Sequence, residues 1–219
     1  MIDTKKHKLL PCRELTEVLL PAYKPCESFG TICRTMRWEP KKGYVPRGFC
    51  GAIGRVDQVE LVLITAEPGD PHPNESHPAY SKPDDLFART AQYSYQCFET
   101  GKDLFHRNVR YIMNMCWPNL TFEEQMRRTW ITESVLCSAP KEGGSVSSVV
   151  SNQCENRYLE KQLGFFDRPV IVALGSKARD RTKGSIYSIM SVGAASPPGC
   201  NRQGVRASWS AIADTVKKR

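Results

Sequence analysis

The sequence has no long apolar run, and this absence excludes one class of protein. No segment approaches the 18 consecutive apolar residues of a membrane-spanning helix. Residues 1–10 are polar and contain three lysines, without the apolar core of a signal peptide. We therefore expect no membrane span and no export, which favours a cytoplasmic location.

Several short motifs are also missing. The chain contains no P-loop, no GxGxxG and no closely spaced CxxC pair, and it shows no internal repeat. These absences remove the usual sequence grounds for a nucleotide-binding protein or a zinc ribbon. A length of 219 residues fits one compact domain or one domain with an elaborated N-terminus.

Positive charge is in excess. The chain has 31 Lys and Arg against 23 Asp and Glu, for a formal net charge of +8. A basic surface attracts polyanions, with nucleic acid the first candidate, although many basic proteins bind none.

Cysteine is also abundant, with nine in the chain. In a cytosolic protein this number argues against a disulfide framework. The thiols are then either small buried hydrophobic groups or, for some of them, metal ligands.

Strands and helices alternate along the chain from residue 58 onward. An apolar run ends at Glu67-Pro68-Gly69 and predicts a strand buried on both faces. Further strands are predicted near residues 129–136, 168–175 and 187–193, with helices between them. This order predicts an α/β fold, a three-layer α/β/α sandwich with a mainly parallel four-stranded sheet. Residues 1–57 are predicted to form an extension that packs on the domain of residues 58–219.

Parallel sheets bind ligands at the carboxyl ends of their strands. Glu67, the region of Glu133, Gly175 and Ser196 all fall at or just past such ends. We therefore expect them to meet at one edge, and we expect the chemistry to centre on Glu67. The alternative is that Glu67 only caps nearby backbone amides.

Four segments in consistent order resemble the uracil-DNA glycosylase superfamily. TAEPG at 65–69 resembles its motif A, and WITESVLC at 130–137 resembles its second strand. Residues 154–178 resemble the stretch with the third strand, and ASPP at 195–198 takes the place of the motif B loop. The resemblance covers about residues 58–209 and is nearest to the iron–sulfur branch.

This resemblance implies a base-excision enzyme that turns a nucleotide into a pocket and breaks its glycosidic bond. Motif A would place Glu67 as the catalytic carboxylate, and motif B would place Ser196 where the family has a His. Residues implied to surround the base are Ala66, Pro68, Gly69, Glu133 and an aromatic (Tyr80, Phe87 or Phe49). Residues expected to contact DNA are Arg47, Lys177, Pro197, Pro198, Asn201 and Arg202.

The chain departs from the family at two of these positions. Glu133 aligns with the Asn that reads uracil, and an ionised carboxylate cannot donate a hydrogen bond. Glu133 either accepts from a base N–H or, if burial near Glu67 keeps it protonated, also donates. Ser196 carries no imidazolium charge, and the candidates to replace it are Asn201 and Arg202. These departures affect uracil specificity more than the fold.

The iron–sulfur branch also implies a cofactor. Cys137 and Cys154 match one pair of its cluster ligands, and Cys26 and Cys33 are the candidates for the other. Four thiolates suit a 4Fe-4S cluster. The alternative is four buried thiols without a ligand.

Three functions remain open at this stage. The first is a glycosylase acting on uracil or another deaminated base in DNA. The second is a module that binds damaged or abasic DNA without turnover. The third is a small-molecule hydrolase on the same scaffold, because a fold alone does not fix a function. We expect a monomer.

Overall fold

The computed structural model describes residues 9–77 and 82–219. One sheet of five strands lies at the centre, in the order β1-β3-β2-β4-β5. The strands are β1 (Cys50–Gly51), β2 (Leu61–Thr65), β3 (Thr129–Glu133), β4 (Val170–Leu174) and β5 (Ile189–Val192). Four of them are parallel, and only β1 runs antiparallel to its neighbour β3. The predicted α/β class is therefore confirmed.

The four strands predicted from the sequence correspond to β2 to β5. The expected sheet of four strands is one strand short, because β1 adds a two-residue antiparallel edge. Because β1 has only two residues, the sequence shows no alternation of apolar and polar residues that would predict it. β3 ends at Glu133, three residues before the predicted end, because the chain turns there and the Ser134 and Val135 amides bond the Thr65 and Ala66 carbonyls.

Eight α-helices connect and cover the strands in the described part of the chain. Their bounds are α1 Arg13–Leu19, α2 Pro83–Thr100, α3 Leu104–Cys116, α4 Phe122–Arg128, α5 Ser148–Cys154, α6 Glu160–Leu163, α7 Ser176–Arg181 and α8 Val205–Val216. A π-helical turn, Glu155–Leu159, joins α5 to α6. The predicted capping box opens α4, where Thr121 and Glu124 bond reciprocally.

Each face of the sheet has its own apolar core. Leu61, Leu63 and Ile131 point to one face and pack with residues of α3 and α8. Val62, Ile64 and Trp130 point to the opposite face and pack with α1 and the helical segment around residues 158–163. Side chains alternate across a strand, so this division produces the predicted three layers.

The N-terminal segment is part of this packing. Leu15 and Leu19 of α1 are fully buried, and they belong to the same core as Val62 and Ile64. Phe49 is also fully buried, and the following residues form β1. Residues 9–57 therefore complete one face and one edge of the domain. In the described residues no helix has the length and apolar character needed to cross a bilayer.

Candidate functional site

Glu67 and Glu133 lie at the ends of adjacent strands. In the parallel pairing of β2 with β3, Thr65 is opposite Glu133, so Glu67 begins the loop beside it. Ser134 holds this junction together: its hydroxyl donates to the Ala66 carbonyl at 2.7 Å. The sheet register therefore brings together the two carboxylates that sequence reasoning singled out.

The Glu67 carboxylate lies between two cations of α7. Its Oε1 is 2.7 Å from Lys177 Nζ, and its Oε2 is 2.5 Å from Arg181 Nη1. The Glu67 side chain is only 6% exposed and that of Arg181 only 10%. Arg181 also donates to the Ser134 hydroxyl at 3.3 Å. Glu67 is thus an ion-pair partner rather than the amide cap that was the alternative.

Glu133 is buried in a different environment. Its carboxyl group lies directly against Gly48, where any Cβ would collide with it, and its Oε2 has no hydrogen-bond partner among the described residues. Burial raises the pKa of Glu133 well above its usual range, and the Glu67 charge raises it further. Arg47, Arg181 and the Gly48 backbone oppose this shift without reversing it. A neutral Glu133 can donate one hydrogen bond and accept others.

Lys177 connects Glu67 to the loop between β3 and α5. Its ammonium donates to the carbonyls of Gly143 and Gly144 at 3.0 and 2.7 Å, in addition to Glu67. Glu142 in the same loop accepts from the Asp70 amide at 3.2 Å. The loop is therefore bonded on both sides of motif A. Lys177, expected to contact DNA, is more than half buried in these bonds, with 39% of its side chain exposed.

The motif B segment approaches the same edge from the other side. Gly175, the residue before α7, has φ 93° and touches Ala194 so closely that a Cβ would lie 2.8 Å from the Ala194 Cβ. The Asn108 amide donates to the Ala195 carbonyl at 2.8 Å. Ser196 is exposed, and its side chain makes no hydrogen bond within the described residues. The residues after it expected to contact DNA are also exposed: Pro197, Pro198, Asn201 and Arg202.

Arg47 lies inside the protein, contrary to its expected place on a DNA-contacting surface. Its guanidinium donates to the carbonyls of Gly43 and Gly69 and to the Ser138 hydroxyl. It also faces the buried Glu75, with Nε 3.5 Å from Oε1. Arg47 therefore braces the loops around motif A, because burial requires each of its donors to find a partner.

The expected base-stacking aromatics fall in two groups. Phe87 and Phe49 are core residues that stack on each other at 5.4 Å between ring centroids, and neither is accessible. Tyr80 lies outside the described residues. Of the other residues expected at the base, Pro68 is buried, whereas Gly69 is exposed beside Glu142.

The four cysteines singled out earlier line one cavity. Cys26 and Cys33 come from the N-terminal segment, and Cys137 and Cys154 come from the loop after β3 and from α5. The cavity itself is small, with a volume of about 20 Å³. Burial raises the pKa of Cys137 far above its usual range, and the neighbouring thiols Cys154, Cys26 and Cys33 add to the shift. The four sulfurs are thus near enough to influence one another.

This cavity has features that fit a group binding to sulfur. The Leu136 amide donates to Cys154 Sγ at 3.4 Å, as backbone amides do around iron–sulfur ligands. The Tyr158 hydroxyl is buried in the cavity wall and has no hydrogen-bond partner among the described residues. No set of three or more Cys, His, Asp or Glu in those residues converges tightly enough for a single metal ion. A cluster requires no such convergence, because each thiolate binds a different iron.

Sequence reasoning missed Arg181, Ser134 and Gly48. Arg181 lies four residues after Lys177, which places both side chains on one face of α7. That spacing was a usable signal. Gly48 had none, since its role follows from the approach of β1 to the end of β3.

No family model matches the chain, and no curated protein is significantly similar to it in sequence.

Proposed function

We propose that this protein is a DNA glycosylase of the uracil-DNA glycosylase type, which hydrolyses the N-glycosidic bond of uracil or another deaminated base. The observation that carries the proposal is the pair of carboxyl groups at the ends of β2 and β3, with Glu67 between two cations and Glu133 buried against Gly48, where burial raises its pKa. The order of the four family-like segments supports it. DNA is then the partner, and we propose a cytoplasmic monomer.

Each carboxyl group has a separate task in this proposal. The negative Glu67 stabilises the positive charge that develops on the sugar and orients the attacking water. The neutral Glu133 presents one O–H donor and one carbonyl acceptor to the base. A side-chain amide presents the same pair, so Glu133 can take the place of the family's Asn at the N–H and adjacent carbonyl of uracil.

We also propose that Cys26, Cys33, Cys137 and Cys154 hold a 4Fe-4S cluster. Their common cavity, the amide directed at Cys154 and the unpartnered Tyr158 hydroxyl support this assignment. When bound, such a cluster supplies a redox-active centre and four sulfur–iron links between segments.

A non-catalytic module that binds damaged or abasic DNA is the second candidate. It is favoured by the two ion pairs that occupy both oxygens of Glu67, and by the exposed Ser196 where the family has an imidazole. In this case the same edge recognises an extruded nucleotide without breaking its bond.

One assay separates the candidates. Single- and double-stranded oligonucleotides carrying uracil, hypoxanthine or xanthine are incubated with the protein and cleaved with alkali. We expect cleavage by the wild type and at least a hundredfold loss in Glu67→Gln, the loss typical of removing one electrostatic stabiliser. Glu99→Gln, at an exposed position on α2, is the matched control and should keep full activity.

Other results of the same assay assign the function differently. Salt-dependent binding of abasic DNA without cleavage supports the module. Neither cleavage nor salt-dependent binding contradicts both DNA functions and leaves the small-molecule hydrolase. Cleavage that survives in Glu67→Gln contradicts the role given to Glu67.

A further inference from the structure

Breaking an N-glycosidic bond separates charge, and the site must stabilise both signs. The electron pair of the C1′–N bond goes to the base, which departs as an anion, and the sugar becomes cationic. Water then forms the new C1′–O bond, and the proton it releases ends on the departing base. Glu67 provides the negative charge for the sugar. The negative charge on the base requires a cation or a donor.

Among the described residues, the motif B loop brings no cation against the two carboxyl groups. Ser196 is neutral and exposed, and Arg202 and Asn201 are exposed residues beyond it. Their side chains make no ion pair or hydrogen bond with Glu67 or Glu133 in the described part of the chain.

Helix α7 does carry cations at the site. Arg181 is nine-tenths buried and contacts Glu67 and Ser134, at the junction between β2 and β3. Lys177 reaches the other oxygen of the same carboxylate. With Glu133 neutral, the group formed by Glu67, Lys177 and Arg181 has one negative and two positive charges. The net charge of this group is therefore +1.

Resting on the proposed function, we infer that Arg181 stabilises the departing base anion. Glu67 and Arg181 then form a preorganised pair of opposite charges, matched to the charge separation between sugar and base. Preorganised charges act strongly in a buried site because little reorganisation is needed during the reaction. The Glu67–Arg181 contact, which argues for an inert site when considered alone, becomes part of the catalytic arrangement.

This role makes the activity depend on the leaving group. A fluorine at C5 stabilises the uracil anion, so the release of 5-fluorouracil depends less on stabilisation of the anion by the protein. We expect Arg181→Gln to slow the release of uracil by about a hundredfold or more. The fold-loss on 5-fluorouracil should be smaller than the fold-loss on uracil by a factor of about ten or more. Arg181→Lys keeps the charge and should recover part of the uracil activity.

The measurement is the single-turnover rate on duplexes that differ only in the base. Arg179→Gln is the matched control, because Arg179 lies on the same helix, is about half exposed and pairs with Asp180. Thermal unfolding of each variant verifies that it is folded. If Arg181→Gln does not fold, Arg181→Lys gives the test, since its shorter reach must also slow uracil more than 5-fluorouracil.

The outcomes separate this inference from the function on which it rests. Equal loss on both bases, or no loss on either, reduces Arg181 to a structural partner of Glu67 and overturns the inference while the glycosylase proposal stands. A wild type that releases none of uracil, 5-fluorouracil, hypoxanthine and xanthine contradicts the proposed function, and the inference with it.

Discussion

At the scale of single residues, the neighbours of a side chain decide its chemistry. Glu67 and Glu133 are the same residue type at the ends of adjacent strands, yet Glu67 contacts two cations and the carboxyl group of Glu133 packs against Gly48. Burial disfavours an ionised carboxylate, and it raises the pKa of Glu133 although Arg47 and Arg181 oppose the shift. Two side chains of the same type therefore have different surroundings, two ion pairs for Glu67 and burial against a backbone for Glu133.

The raised pKa of Glu133 predicts a dependence of stability on pH. Below the ordinary value of about 4.5, Glu133 is protonated in both the folded and the unfolded chain. Above it, the unfolded chain ionises while the folded protein retains the proton. Stability due to the neutral acid is therefore lost as pH rises toward the folded pKa, by at most about 1.4 kcal/mol per pH unit.

Glu133→Gln removes this dependence, because an amide stays neutral at every pH. Urea unfolding of the variant and the wild type should give similar free energies of unfolding near pH 4.5. As the pH increases, the free energy of unfolding of the wild type should decrease relative to that of the variant. Glu99→Gln, at an exposed site, is the control and should follow the wild type. Parallel curves for the wild type and Glu133→Gln would show that Glu133 ionises normally.

At the scale of elements, short helix α7 organises the site through its side chains. Lys177 bonds both Glu67 and the carbonyls of Gly143 and Gly144, so it joins β2 to the loop between β3 and α5. Gly175 before the helix touches the motif B segment. One helix of six residues therefore sets the relative positions of three strand-end loops.

Removing the Lys177 ammonium should loosen the loop that it holds. Lys177→Met keeps most of the side-chain stem but loses the bonds to both loop carbonyls. We expect hydrogen exchange of backbone amides in residues 139–147 to accelerate about thirtyfold, since two hydrogen bonds of about 1 kcal/mol each are lost. Mass spectrometry of exchanging peptides measures this change. Lys183→Met, which breaks only the exposed pair with Asp180, should leave these peptides unchanged.

At the scale of the whole molecule, the four-cysteine cavity lies between the N-terminal segment and the α/β domain. Cys26 and Cys33 belong to the N-terminal segment, whereas Cys137 and Cys154 belong to the α/β domain. Segments far apart in sequence gain stability when a metal group links them, because the unfolded chain binds that group poorly. The +8 net charge acts at the same scale and favours polyanions over neutral partners.

The cluster proposal predicts that protein purified without oxygen is brown and contains about four iron atoms per chain. Removing the iron should lower the melting temperature, because the N-terminal segment loses its links to the domain. Cys154→Ser should lose both colour and iron. Cys12→Ser is the control, because Cys12 lies beside α1 and does not line the cavity. A colourless, iron-free protein from an anaerobic preparation would reject the cluster.

The sequence by itself determined the elements that depend on local patterns. The apolar runs before Glu67 and around Val172 predicted buried strands, and Thr121 with Glu124 predicted the start of α4, as the structure has them. Burial on both faces requires continuous apolar runs, and a capping box involves only neighbouring residues. The alternation of these elements was enough to predict a parallel α/β sheet.

Only the tertiary structure decided which side chains face one another. Arg47 was expected at a DNA surface and lies inside, Phe87 was expected beside a base and lies in the core, and Arg181 was not anticipated at all. Each of these positions depends on contacts between segments tens of residues apart, which no local pattern records. Charge, burial and hydrogen bonding at the site follow from those long-range contacts, and so does its chemistry.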